Sequence, residues 1–509
     1  MSLHRSNTRA DFVLAVPDGE DPLYARIAAA IVADVRRGRL RPGDALPGSR
    51  TLAETLGVHR NTILAALREL ALEGWIEAAH GRATRISTSL PESPAPRRLR
   101  AAAGPSVLPG FDLVDGWCPP PWSPATATDR QRPIQLLGGL PDLRLLPRVE
   151  LARAYRRVAT RARGAALFGY GDPRGDALLR AELAKLLARG RALALGADDL
   201  MVTRGSQMAL YLAARAVLRP GDRVAVEALG YGPAWRALEA AGATLVPISV
   251  DRGGLDVATL RALAIRTRLR AVYVTPHHQY PTTAVLEQPR RLALLALARE
   301  QRMAVFEDDY DHEFHYDGRP LAPLASADPT GQVIYVGTLS KVLAPALRLG
   351  FVAAPRPVLE RMTALRLVVD RQGDPVTERA VAELMADGEL ERHTRRMRRV
   401  YAARRDVLVE ALRAAFGDAL IFDVPRGGMA LWARPATLDV ERWAVACEAR
   451  GVIVQPSSRF LFDPARPDAR GVRLGFAAEP EERLRLGVQT MLEAAQSTSN
   501  KRVAGSAID

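Results

Sequence analysis

Several things are scarce in this sequence. Its 509 residues include two cysteines, Cys118 and Cys447, far apart, so neither a disulfide framework nor a paired-cysteine metal site can be built from them. No run of 18 apolar residues occurs, which argues against an apolar membrane-spanning helix. The first two dozen residues mix arginine and acids with short apolar pieces and lack the apolar stretch of a secretion signal. These absences predict a soluble cytoplasmic protein with no membrane partner. Lysine is also nearly missing: it stands only at Lys185, Lys341 and Lys501 among 71 Lys plus Arg. Where almost every cation is arginine, a retained lysine points to a need for its amine, because arginine cannot form a Schiff base.

What is present is ordinary for a globular chain, at 48% hydrophobic and 25% charged residues, and the length implies about three domains. A net charge of +14 favours anionic partners. Proline and glycine divide the chain. Residues 20–88 are compact and mostly helical. Residues 89–133 are Pro-rich (PESPAPRRLRAAAGP, CPPPWSPAT) and read as a linker. From 134 onward, strand-like runs (VAVEAL, AVYVT, AVFED, VIYVG) alternate with Ala/Leu/Arg helices, the pattern of a mainly parallel sheet. Residues 498–509 read as a disordered tail.

In the first module, Ile27, Ile31 and Val35 fall on one helical face. Ser49 is placed to cap a second helix that ends at Gly57, and a third runs from Arg60 to Glu73, with helix-turn-helix spacing. GWIEAAHGRATRI follows as two short strands, a wing. Arg50, Arg60, Asn61, Thr62 and Arg68 lie on or beside the third helix, with His80, Arg82 and Arg85 on the wing; these side chains suit phosphates and base edges. Residues 1–88 hold 12 arginines against 10 acids, so bulk charge does not separate DNA binding from a solvated helical face. The order of elements does. The run from Pro22 to Ile76 resembles the winged helix-turn-helix of GntR-type regulators, which implies double-stranded operator DNA as partner. HGRATRI replaces that family's usual wing turn.

In the second module, VFEDDYDHEFHYD is followed about thirty residues later by YVGTLSKVLAPALRLGF. Asp308, Asp309, Asp311, His312, Glu313 and His315 alone suit a divalent metal. A pyridoxal phosphate site accounts for Lys341 as well, so that cofactor is expected and no metal. Lys341 supplies the amine for an aldimine, and Asp308, ending an apolar strand, supplies a carboxylate for the pyridine nitrogen. Tyr310 is placed for the ring oxygen. Thr338, Ser340 and Arg348 are candidates for the phosphate. Gly205, Ser206 and Gln207 open a helix whose N-terminus favours an anion, although the same triplet serves as a plain cap.

In this order the pieces resemble fold-type I pyridoxal-phosphate enzymes of the aspartate aminotransferase superfamily. The resemblance implies an α/β large domain over 134–385 with a mainly parallel sheet, and a smaller α+β domain over 386–497. It implies that Tyr170 reaches the phosphate of a neighbouring subunit, that Tyr231 stacks on the ring unless it is a packed loop residue, and that Arg473 binds a carboxylate. Tyr280 stands where the family has a ring-contacting asparagine, leaving His278 or Gln279 as replacement. ERHTRRMRRVYAARRD, with seven arginines, reads mostly as a solvated helix face. A GntR-type module, a linker and an aminotransferase-like domain in one chain resemble the MocR-type transcription regulators. That resemblance implies a homodimer sensing an amine, an amino acid or the vitamer at Lys341; the competing reading is an aminotransferase with an accessory DNA-binding arm.

Overall fold

The computed structural model describes residues 14–19, 21–77, 83–91, 133–160, 166–318, 321–463 and 470–505. The chain forms two compact units, residues 1–124 and 125–509. In the first, three helices, α1 (Leu23–Arg36), α2 (Ser49–Leu56) and α3 (Arg60–Leu72), precede two antiparallel strands, β1 (Ile76–Glu77) and β2 (Arg85–Ile86). Ile27, Ile31 and Val35 meet Leu52, Ile63, Ala66, Leu70 and Trp75 in one core, so the face read from the sequence is the buried one. Gly57 ends α2 in the left-handed conformation, at φ 65°.

Ser49 does not cap α2. Gly48 occupies that position, and the Ser49 hydroxyl accepts a hydrogen bond from Arg60 Nε at 3.3 Å, tying α2 to the start of α3. His59 caps α3, its Nδ1 accepting from the Asn61 amide. The wing turn with His80 and Arg82, and residues 92–132 of the expected linker, lie outside the described residues.

The second unit is built on seven strands: β3 (Leu200–Thr203), β4 (Arg223–Glu227), β5 (Thr244–Ile248), β6 (Ala271–Val274), β7 (Ala304–Asp309), β8 (Val333–Thr338) and β9 (Gly350–Ala353). Their order is β3-β9-β8-β7-β6-β4-β5, with every neighbouring pair parallel except those of β9, which runs against β8 and β3. Alternate residues feed different cores. Tyr273, Phe306 and Ile334 join one, whereas Val272, Val305 and Val333 join another, as expected of a sheet covered on both faces. Helix α4 (Ser206–Val217) follows β3 and α5 (Gly232–Ala240) follows β4. A second sheet is antiparallel: β10 (Leu420–Phe422), β11 (Ala430–Pro435), β12 (Gln455–Pro456) and β13 (Val472–Gly475), ordered β10-β11-β13-β12. Among the described residues no helix is long and apolar enough to cross a membrane.

One expectation fails here, and another holds for most of its residues. The closing helix, Glu481–Gly505, runs into the segment read as a tail. Adding a turn to a formed helix needs no new nucleus, and the Ser497 and Thr498 hydroxyls bond back to Ala494 and Ala495 carbonyls rather than stopping the helix. The arginine run on the helix Glu389–Phe416 is mostly a solvated face, as expected, with two exceptions. Arg404 and Arg405 are buried, pairing with Asp142 at 2.9 Å and Asp317 at 2.6 Å, while Arg396 and Arg398 cap the Leu145 and Glu313 carbonyls. Burial works to raise the Asp142 carboxyl, but its bonds to Arg144 and Arg404 hold it below the usual carboxylate range. Replacing Arg404 by Met removes one charged partner and leaves Asp142 to Arg144 alone, which is expected to cost about 1–3 kcal/mol. Equilibrium denaturation checks this, and an unshifted midpoint contradicts it. Because the folded Asp142 carboxyl is depressed, its contribution to stability is present above its unfolded value near pH 4 and is lost as pH falls through the folded value.

Candidate functional site

The exposed end of α3 carries Arg60, Asn61 and, half-buried, Thr62 in its first turn; Arg68 is exposed two turns on, and Arg50 is exposed in the first turn of α2. Asn61 and Arg68, seven residues apart, share one helix face. Arg85 is exposed on β2 and donates to the Gly43 carbonyl at 2.8 Å, which holds its guanidinium beside the strand. Arg82 falls outside the described residues.

In the second unit, the carboxyl ends of adjacent strands converge. Asp308, at the end of β7, is buried; its Oδ2 accepts a hydrogen bond from the Tyr273 hydroxyl of β6 at 2.8 Å, and its Oδ1 has no partner. Burial pushes this carboxyl up to about 7, with Tyr273 pulling the other way. After β8, Lys341 Nζ donates to the Gly139 carbonyl at 2.8 Å. Burial lowers this amine from its ordinary value, while Asp311 and Asp308 hold it up. Tyr310 is half-buried and donates to the His278 carbonyl at 2.9 Å. Arg473, fully buried on β13, donates through Nη1 to Pro281 O at 2.6 Å and approaches the Tyr310 hydroxyl at 3.4 Å through Nη2. Its Nε is unpartnered, and no carboxylate among the described residues lies within 4 Å.

A second group surrounds the N-terminus of α4. Gly205, at φ +81°, sits so close to Arg348 that a Cβ there would lie 2.9 Å from Nη2; a Cβ on Gly350 would lie 2.7 Å from the Ser206 amide nitrogen. The two glycines let a guanidinium rest against a helix N-terminus, two positive groups whose shared preference is an anion. Among the described residues, Arg348 has one hydrogen-bond partner, the Arg204 carbonyl at 3.0 Å. Thr338 and Ser340 are buried beside it, the Thr338 hydroxyl accepting from the Ser340 amide and donating to the Leu349 carbonyl. Gln207 is turned aside, its amide donating to Pro233 O at 2.6 Å, while Ser206 starts the helix.

Tyr231 caps α5 and meets Tyr280 edge-on at 5.1 Å; Tyr280 lies under the Arg473 guanidinium at 4.5 Å. Burial and the nearby Asp308 push the Tyr231 hydroxyl up to about 12. His278 pairs through Nδ1 with Asp311 Oδ1 at 2.7 Å, so its ring is committed to that carboxylate. Tyr170 is 80% exposed beneath the Arg371 guanidinium and makes no hydrogen bond to the groups around Lys341. The acidic run does not gather as one cluster: Asp308 turns to Tyr273, Asp311 to His278 and Glu313 to Arg191. Tyr273 and Gly139 were not anticipated. Their signals, a tyrosine in an apolar strand and a Gly-Gly pair, carry nothing until the fold sets them against Asp308 and Lys341.

The donor set suits pyridoxal phosphate: a partnerless carboxylate oxygen for a protonated ring nitrogen, a desolvated amine, and a guanidinium with helix N–H groups for the phosphate.

Two family models match the chain: aminotransferase class I and II over residues 141–490, and bacterial regulatory proteins of the gntR family over 23–86. The chain is 32% identical over 482 residues to the probable rhizopine catabolism regulatory protein MocR of Rhizobium meliloti, covering 94% of each chain. It is 32% identical over 478 residues to the transcriptional regulator TauR of Rhodobacter capsulatus, covering 92% of this chain and 95% of that one. Among solved structures, the α-aminoadipate aminotransferase LysN of Thermus thermophilus, complexed with N-(5'-phosphopyridoxyl)-L-leucine, has a TM-score of 0.66 at 28% identity, covering 72% of this chain and 93% of that one.

Replacing Arg348 by Ala removes a charged partner of the phosphate and is expected to weaken retention of pyridoxal phosphate about tenfold or more. Retention of unphosphorylated pyridoxal should not change. Dialysis with absorbance readout compares the two, and equal losses contradict the assignment.

Proposed function

Because the chain belongs to the MocR-type regulators, in which a GntR DNA-binding domain is joined to an aminotransferase class I and II domain, we propose that its second unit is a pyridoxal-phosphate-dependent sensor of an amine, an amino acid or the vitamer, controlling operator binding by the first. The observation that supports this is the company Lys341 keeps: a desolvated amine near a partnerless buried carboxylate and a fully buried guanidinium, in one chain with an exposed DNA-reading helix.

Pyridoxal phosphate, when bound, supplies an aldehyde that condenses reversibly with amines and a ring that draws electrons from them. The chain's own groups divide the remaining work. Burial keeps Lys341 Nζ closer to its neutral, nucleophilic form, and the Gly139 carbonyl orients it. Asp308 keeps a proton at the ring nitrogen, with Tyr273 fixing its orientation. Tyr310 sets a hydroxyl between the His278 carbonyl and Arg473. Arg348, Thr338, Ser340 and the amides of Gly205, Ser206 and Gln207 hold the phosphate, joined in a homodimer by the partner subunit's Tyr170. Arg473 receives a carboxylate of the effector, exchanging its bond to Pro281 O for a stronger, charge-assisted one. Tyr280 fills the asparagine's place and covers Arg473. His278, paired with Asp311, leaves the ring-oxygen contact to Tyr310.

An effector changes DNA affinity only by binding two protein states unequally. Lys341 and Arg473 are the groups whose partners, the Gly139 and Pro281 carbonyls, would differ between the two states. Arg50, Arg60, Asn61, Thr62, Arg68, Arg82 and Arg85 are the DNA-facing set.

Lys341→Ala is expected to abolish the visible absorption of the lysine-linked cofactor with the far-ultraviolet circular dichroism unchanged; a surviving band refutes the assignment. Arg60→Ala should lower operator affinity by about 1–3 kcal/mol without changing cofactor uptake. A footprint upstream of the protein's own gene, with and without cofactor and a panel of amines and amino acids, tests the whole reading. Protection that responds to ligand supports it. Absent protection with steady amino-acid to keto-acid turnover identifies an aminotransferase instead.

A further inference from the structure

Asp308 and Asp309 are consecutive on β7, and consecutive strand residues point to opposite sides of a sheet. Asp308 turns to Tyr273. Asp309 turns to a different buried group, whose members are His312, four residues past Asp308, and His277, just after β6. Asp309 Oδ2 approaches His312 Nδ1 at 3.0 Å and accepts a hydrogen bond from the Tyr335 hydroxyl at 2.6 Å. One donor atom from each of His277, Asp309 and His312 lies within 4.8 Å of one from each of the other two.

All three residues are more than nine-tenths buried, and each has a polar atom without a hydrogen-bond partner: His277 Nδ1, Asp309 Oδ1 and His312 Nδ1. The approach of His312 Nδ1 to Asp309 is close but not aligned as a hydrogen bond. Buried polar atoms are rarely left unpaired, and three in one group call for an occupant. On its other side His312 Nε2 faces the Gly190 carbonyl at 3.3 Å, the kind of outer bond that orients a metal-binding imidazole, leaving Nδ1 toward Asp309. The surrounding charges also fit. Arg191 lies 3.8 Å from Asp309 but is paired with Glu313. Arg291 donates to the Pro276 and Ala322 carbonyls, and Glu307 accepts from the Leu324 and Ala325 amides. Arg191 divides its charge between Glu313 and Asp309, and His312 Nδ1 faces the same Asp309 oxygen, so an ion here would take the place of a proton on His312.

We propose that His277, Asp309 and His312 form a binding site for a divalent transition ion of the zinc class. Two imidazoles and one carboxylate are the donors such ions prefer over calcium or magnesium, and three protein ligands leave a fourth position for water. The ion joins the segment after β6, the end of β7 and the turn that follows, the segments that also carry His278, Asp308 and Tyr310. This site stands apart from the sensing role and does not rest on it.

The test uses the full chain, stripped with a chelator and titrated with Co²⁺, then with Zn²⁺ in competition. The expected result is one Co²⁺ per chain with ligand-field absorption of a nitrogen- and oxygen-bound ion, displaced by Zn²⁺. His277→Asn and His312→Gln should each weaken binding at least about tenfold, and His315→Asn should leave it unchanged. Should the His312 variant fail to fold, His277→Asn decides, because that ring's Nδ1 has no protein bond to lose. No stoichiometric binding by the wild-type chain overturns the proposal, as does binding that persists in the folded variants, including binding by the cofactor itself.

Discussion

The second unit depends on keeping a carboxylate and an amine out of water at the same end of one sheet. Asp308 is buried with one oxygen unpartnered, and desolvation opposes the charged form both there and at Lys341. Such groups are retained against that cost only where surrounding structure fixes them. Here the sheet does so. Strands β6, β7 and β8 are adjacent and parallel, so Tyr273, Asp308 and Thr338 leave the sheet on the same side, with Lys341 just beyond. The arrangement follows the general rule that open α/β sheets place ligand groups outside the carboxyl ends of their strands.

Close backbone approach does the rest, and glycine permits it at two places. Gly205 and Gly350 bring Arg348 against the start of α4. A Cβ on Gly138 would lie 2.2 Å from Arg473 Nε, and Gly139 beside it offers its carbonyl to Lys341 from a left-handed conformation. The amine and the Arg473 guanidinium are therefore both gauged against one short segment. A shift of that segment would therefore move both together.

Much of this was legible in the sequence because of what the sequence lacks. With lysine so rare, Lys341 drew attention, and Asp308, Tyr310 and Arg348 followed from the chemistry an aldehyde cofactor needs. The helix-turn-helix was legible from apolar spacing and Gly57. Contacts made across the chain were not. Tyr273 is read as one more apolar strand residue until β6 is laid beside β7, and Gly139 lies 202 residues from the lysine it orients. Ser49 was misread because capping is judged from neighbours, whereas its hydroxyl is claimed by Arg60, eleven residues on. Of the arginine run, read mostly as a solvated face, Arg404 and Arg405 are the exceptions for the same reason, since their partners Asp142 and Asp317 are distant in sequence.

Arginine usage also bears on how such a chain reads DNA. A charge of +14 suggests a broadly basic surface, yet Arg191, Arg366, Arg404, Arg405 and Arg473 are buried and occupied with acids or carbonyls of the second unit. The first 88 residues hold only two more arginines than acids. Non-specific attraction to phosphate grows with the number of free cations, so a module this nearly neutral gains little from it. Of the side chains proposed to read DNA, Arg50, Arg60, Asn61 and Arg68 are exposed. A module that holds DNA through few contacts is easily released by a modest change in its geometry, which is what the proposed control by a ligand bound elsewhere in the chain requires.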